Sequence, residues 1–138
     1  MTGQTRGKRR RGAVMVELAV LMPVIVLLAL GMVEASRMCM VAQLLTNAAR
    51  DGCRVAVSNG YTGQDVTACI DANLTAAGIA PSLVTISLSP SGVESTVLND
   101  PITVTLTVDF SKVNWLKNPF FFKNSSVKGT SVMLSQRP

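Results

Sequence analysis

The chain has 138 residues, room for one small domain once a membrane segment is set aside, and a formal net charge of +5. That charge is not spread over a surface: Arg6, Lys8, Arg9, Arg10 and Arg11 fall in residues 1–12, and the rest of the chain balances eight basic against eight acidic side chains. A folded part without net positive charge argues against nucleic-acid binding, and the lack of any histidine removes Ser-His-Asp and Cys-His catalysis and histidine-ligated metal.

Residues 1–12 form a polar, basic leader, expected to be disordered as far as Arg11. The positive-inside rule keeps such a segment in the cytoplasm and sends the C-terminal part of the chain across the membrane. Ala13–Val33 is 21 residues long, about 31 Å as a helix, enough for a hydrocarbon core of ~30 Å. Glu17 is the exception in this run, and a carboxylate near the end of a membrane helix is costly enough to mark a functional site. A cleaved secretory signal fits poorly. The run exceeds the roughly 7–15 apolar residues of such signals, and Val33-Glu34-Ala35 is not a small-x-small site.

Helical periodicity continues beyond the apolar run. Met38, Val41, Leu44, Leu45, Ala48 and Ala49 recur at spacings of three and four, which predicts one helix from Ala13 to about Val57. Glu34 and Arg37 are placed to pair on one face of it. Pro23 is expected to kink it. After the turn cluster Asn59–Gly63 comes a short helix from about Gln64 to Ala77, with Val66, Cys69, Ile70 and Leu74 on one side; Gly78 and Pro81 end it. The period then changes to two. Val84, Ile86 and Leu88 alternate with polar residues, as do Ile102, Val104, Leu106, Val108 and Phe110, and a last strand covers about Ser126–Ser135. The connection Lys112–Lys123 carries Trp115 and Phe120-Phe121-Phe122, either as a lid on the core or as a surface offered to a partner.

The expected fold is therefore α+β: a long N-terminal transmembrane and amphipathic helix, a short second helix, and a three-stranded antiparallel sheet packed on the long helix. The expected units are the leader 1–12, the transmembrane part 13–33, the extracytoplasmic helix 34–58 and a small α+β region 62–138.

Cys39 and Cys53 lie 14 residues apart on one helix, about 21 Å, too far for a disulfide. Cys53 near the end of the first helix and Cys69 near the start of the second stand at matched height if the helices fold back. Outside the cytoplasm the expected disulfide is Cys53–Cys69, against the alternative of three small buried apolar side chains.

Several of these stretches together resemble a known pattern: Arg11-Gly12-Ala13, Val16-Glu17, Leu21-Met22-Pro23, Gly31-Met32-Val33-Glu34, Arg37, and Leu45-Thr46-Asn47-Ala48-Ala49-Arg50-Asp51-Gly52-Cys53-Arg54. The N-terminus looks like a type IV prepilin processing site, and the whole stretch resembles the TadE-like (TadE/TadF) pseudopilins of the tight-adherence pilus. Departures are Leu18 where an aromatic is usual, Ala35-Ser36 where an aromatic and Gly are frequent, and Cys53 where a small residue such as Ala is typical. The resemblance implies a pilin-like fold and cleavage after Gly12 by a prepilin peptidase. It implies Ala13 as the mature N-terminus and Glu17 as the partner of an N-terminal amine during assembly. Other pilin or pseudopilin subunits and the pilus assembly platform are the implied partners. The implied location is the bacterial inner membrane, N-terminus cytoplasmic and C-terminus extracytoplasmic, with the pilus or cell surface reached after processing.

The rival reading is a single-pass anchored binding module that is never processed. An enzyme is disfavoured, because Asp65, Asp71 and Asp109 are scattered and no nucleophile–base pair is visible; no cofactor is expected.

Overall fold

One helix, α1 (Arg6–Val57), runs for 52 residues and carries everything else on its second half. The computed structural model describes residues 6–114 and 120–136, with side chains from Gly12 onward. The helix starts seven residues before the expected Ala13, so the second half of the leader is helical rather than disordered. Arginine and lysine are good helix formers, and extending an existing helix needs no new nucleus. Pro23 lies inside α1, which continues through it as a single helix.

Among the described residues, the elements that follow make a head on residues 34–57. These are α2 (Gly63–Ala76), β1 (Val84–Ser89), β2 (Pro101–Asp109) and, after the single turn α3 (Phe110–Val113), β3 (Ser126–Leu134). The strands form an antiparallel meander in the order β1-β2-β3. Val84 stands opposite Val108 at one end of the first pair, and Val108 opposite Val127 in the second. The period-two reading of β2 is met: Ile102, Val104, Leu106 and Val108 are buried between partly exposed threonines. From α1 the core takes Val41, Leu45, Ala48, Ala49, Cys53, Ala56 and Val57, and from α2 it takes Val66, Ile70 and Leu74. The apolar stripe read from the sequence is thus the face that receives the sheet.

Two contacts fix how closely the layers meet. Gly129 of β3 lies so near α1 that a Cβ there would stand 2.5 Å from the carbonyl carbon of Leu45 and 2.6 Å from the nitrogen of Thr46. Gly52 plays the same part toward α2, where a Cβ would meet Ile70 Cγ1 at 2.7 Å. β3 runs along α1 in the same sense. Gly129 meets Leu45, the Ser131 carbonyl accepts from the Cys53 thiol at 3.2 Å, and the N–H of Gln136 reaches the carbonyl of Val57 at 3.3 Å.

The expected Cys53–Cys69 disulfide is not made; all three cysteines are free thiols. The matched height of the two helices is correct, but the direction is not. The residue of α1 that faces α2 is Gly52, against Ile70 and Val66. Cys53 is one residue on, about 100° round the helix, and its thiol points at the sheet. Cys69 shares a face with Asn73, whose amide donates to Asp51 at 3.3 Å and to the Cys69 sulfur at 4.0 Å.

Candidate functional site: the exposed helix and the foot of the head

Between Gly12 and Val33 the helix has little to pack against. Val14, Met15, Val16, Leu18, Val20, Leu21, Met22 and the residues through Leu28 are all exposed. An 18-residue window here has a mean hydropathy of 2.7, and none of it is buried inside the fold. A core helix of a water-soluble domain would bury such a window, so its exposure is consistent with a membrane anchor. Glu17 sits exposed in this bare section, and a Cβ at Gly12 would meet nothing within 4 Å. The structure therefore leaves Gly12, Ala13 and Glu17 open on every side. The backbone of Arg6, Lys8, Arg9, Arg10 and Arg11 continues the same helix.

The membrane-length section ends where the head begins, and the junction is built by Glu34 and Arg37. Glu34 is buried, yet its two carboxylate oxygens are both used. Oε1 accepts from the backbone N–H of Phe120 at 2.7 Å and Oε2 from that of Phe121 at 3.1 Å. Arg37, one turn on, donates from Nε and Nη2 to the carbonyl of Val113 at 3.3 and 3.2 Å. Both residues thus reach across to the 110–121 segment, where the sequence suggested that they would face each other. A carboxylate out of water is costly unless hydrogen-bonded, and two N–H donors supply the charge-assisted bonds that offset the cost.

The aromatic run splits at this junction. Phe122 turns inward and meets buried Phe110 edge-on, with ring centroids 6.3 Å apart at 89°, so it is the core lid. Phe120 and Phe121 turn outward and stay 68% and 57% exposed. The Phe121 ring lies over Gly31, 3.4 Å from where a Cβ would be. Trp115 lies outside the described residues. The sequence marked Glu34 as half of a helical ion pair and as part of the resembling stretch, not as the tie to the 120–121 segment. Its real signal was its place, the first polar side chain after the apolar run.

Other polar chemistry is structural. Thr62 and Asp65 form a capping box at the start of α2. The N–H and hydroxyl of Thr62 both donate to Asp65 Oδ2 at 2.8 Å, which holds that carboxyl below its usual range. Burial pushes the Cys53 thiol up, and burial together with the Asp51 charge does the same for Cys69. Among the described residues no group of three or more Cys, Asp or Glu could hold a metal ion.

Residues 12–54 match the family model described as TadE-like protein. No curated protein and no solved structure matches the chain. The matched residues, about a third of the chain, span the bare apolar helix, Glu17 and the Glu34–Arg37 junction. Over that third of the chain, which includes the exposed apolar helix, the protein is similar to the TadE-like family.

Proposed function

We propose that the chain is a minor pilin or pseudopilin that assists assembly of a tight-adherence pilus or a related secretion system. It is made as a precursor held in the bacterial inner membrane by Ala13–Val33, with its basic end in the cytoplasm and its head outside. A prepilin peptidase cuts after Gly12, removing Arg6, Lys8, Arg9, Arg10 and Arg11 and freeing the amine of Ala13. Glu17 then meets the free amine of a neighbouring subunit on the assembly platform.

The observation that carries this reading is the wholly exposed apolar window of α1, which begins beside Gly12 and Glu17. A helix that is bare on all sides needs lipid at one stage and other helices at another. A glutamate inside hydrocarbon needs a cation to offset its desolvation, and a protonated α-amine four residues from it in a staggered neighbour supplies one. Such a pair favours one register of packing over the others. The glycine at the scissile bond leaves the backbone accessible at the membrane face.

Sequencing the N-terminus of the protein extracted from membranes is the test. Ala13 as first residue supports processing. Met1 or Thr2 would instead make the chain an unprocessed anchored module. Gly12→Leu should block the mobility shift that accompanies loss of the leader.

A further inference from the structure

We propose that Phe120 and Phe121 form an interfacial foot, which rests in the headgroup–acyl boundary of the same bilayer that holds α1 and fixes the height and tilt of the head above it. The proposal rests on the reading of Ala13–Val33 as membrane-spanning.

Position is the first argument. Gly31, beneath the Phe121 ring, is two residues before the end of the apolar run, about 3 Å along the helix axis. Glu34, which takes the N–H groups of both phenylalanines, is the first residue beyond it. The two rings are thus tied to the level where hydrocarbon gives way to headgroups, the depth at which amphipathic and aromatic side chains anchor membrane proteins.

Orientation is the second. The neighbour Phe122 is used inside the head against Phe110, so the segment has a core-facing aromatic already, and the outward pair is not needed to close the core. Two adjacent phenylalanines left 68% and 57% exposed form an apolar patch that meets the apolar section of α1 at Gly31. Lys112 and Lys123, both exposed, line one polar hollow at the same end of the sheet. Exposed apolar rings with Lys123 two positions further along the chain suit a surface of acyl chains edged by phosphates.

Rigidity is the third. A loop that merely dangled would lose its ordering entropy on entering the interface. Here the backbone is pre-set by two bonds from Glu34 and, through α3, by Arg37 on the carbonyl of Val113. The same ties transmit any displacement of the foot directly to α1.

The test uses the full chain reconstituted in phosphatidylcholine–phosphatidylglycerol vesicles, with single tryptophans placed in a Trp115→Phe background. Phe120→Trp and Phe121→Trp report the foot. Leu28→Trp reports the membrane helix. Leu98→Trp, exposed in the loop beside Ser135 at the far end of the head, reports water. Emission is quenched by lipids brominated at shallow or deep acyl positions. The expected result is loss of emission at 120 and 121 that is greater with shallow than with deep bromines, strong loss at 28, and none at 98. Loss at 28 with none at 120 or 121 would overturn the foot while leaving the membrane helix intact, and would point to a neighbouring subunit as what covers the pair. No loss at 28 would overturn the membrane reading and the foot with it.

Discussion

The carboxylate of Glu34 accepts the backbone N–H of Phe120 at 2.7 Å across 86 positions of sequence. This one bond closes the head onto the helix at the point where the helix leaves its apolar section. Phe121 adds the second donor, and Arg37 secures the preceding turn, so the last connection of the fold is pinned at both ends to a single turn of α1.

Glu34→Gln should loosen this junction without unfolding the head. The amide keeps one acceptor but turns an NH2 group toward a backbone donor, and one of the two N–H groups loses its partner. Leaving a buried donor unsatisfied costs about 1–3 kcal/mol. Hydrogen exchange at Phe120 and Phe121 should then accelerate by roughly tenfold or more, with β2 amides protected as before. Glu17→Gln makes the matching control. Glu17 is exposed and holds no part of the head, so exchange should not change there, although the proposed assembly role would be lost. Unaltered exchange in Glu34→Gln would mean that the 120–121 segment is held by something else.

The two close-approach glycines predict unequal costs. Gly129→Ala pushes a Cβ into the backbone of Leu45 and Thr46, which cannot yield without lifting β3 off α1. Overpacking of this kind costs ~1–3 kcal/mol or more. Gly52→Ala meets side chains rather than backbone, Ile70 Cγ1 and Cδ1 closely and Val66 Cγ1 at 3.7 Å; these can shift, and the change gains about 1 kcal/mol of helix propensity. Thermal or denaturant unfolding should place Gly129→Ala well below Gly52→Ala. The reverse order would contradict the packing of β3 on α1.

Much of this fold was legible because its two periods are clean. Alternation in Ile102–Phe110 marked β2, and the three-four spacing from Met38 to Ala49 marked the face of α1 that receives it. The bare apolar section, long enough to cross a membrane, was legible from length and hydropathy alone. What escaped depends on azimuth and on contacts between distant segments. The one-residue offset between Gly52 and Cys53 separates the face toward α2 from the face toward the sheet, and no spacing rule sets which of them is buried where. The partner of Glu34 lies 86 residues away, so local pairing with Arg37 was the natural expectation. Nothing in the sequence around Gly129 marks it; only its neighbour on another element explains it.

The start of α2 should carry a pH dependence of its own. Bonds from the Thr62 backbone and hydroxyl lower the Asp65 pKa from 3.8. A carboxyl whose pKa is lower folded than unfolded contributes stability that is fully present above the unfolded value. That stability is lost as pH falls below 3.8 and through the folded value. Asp65→Asn removes the charge and the dependence. The difference in melting temperature between wild type and Asp65→Asn should thus be largest near pH 6 and should shrink as pH falls below about 3.8. A difference constant from about pH 6 to about pH 2.5 would mean that the cap is not titrating.

The thiols should differ in reactivity in an order set by burial. Cys39 is exposed on α1, Cys69 is half-buried beside Asp51, and Cys53 is enclosed between α1 and the sheet. Alkylation requires access and thiolate, and both are reduced at Cys69 and Cys53, whose pKa values are raised chiefly by burial. Native protein treated with iodoacetamide near neutral pH should label Cys39 first and Cys69 later, with Cys53 labelled only as the head opens. The Cys69 rate should keep climbing at pH values where an unstructured thiol has levelled off. Under non-reducing conditions, mass spectrometry of the exported chain should find Cys53 and Cys69 unlinked. A Cys53–Cys69 bridge there would require α1 to turn Cys53 away from Ser131 and toward α2, a rotation of about 100° that would break the seat of Gly52 against Ile70.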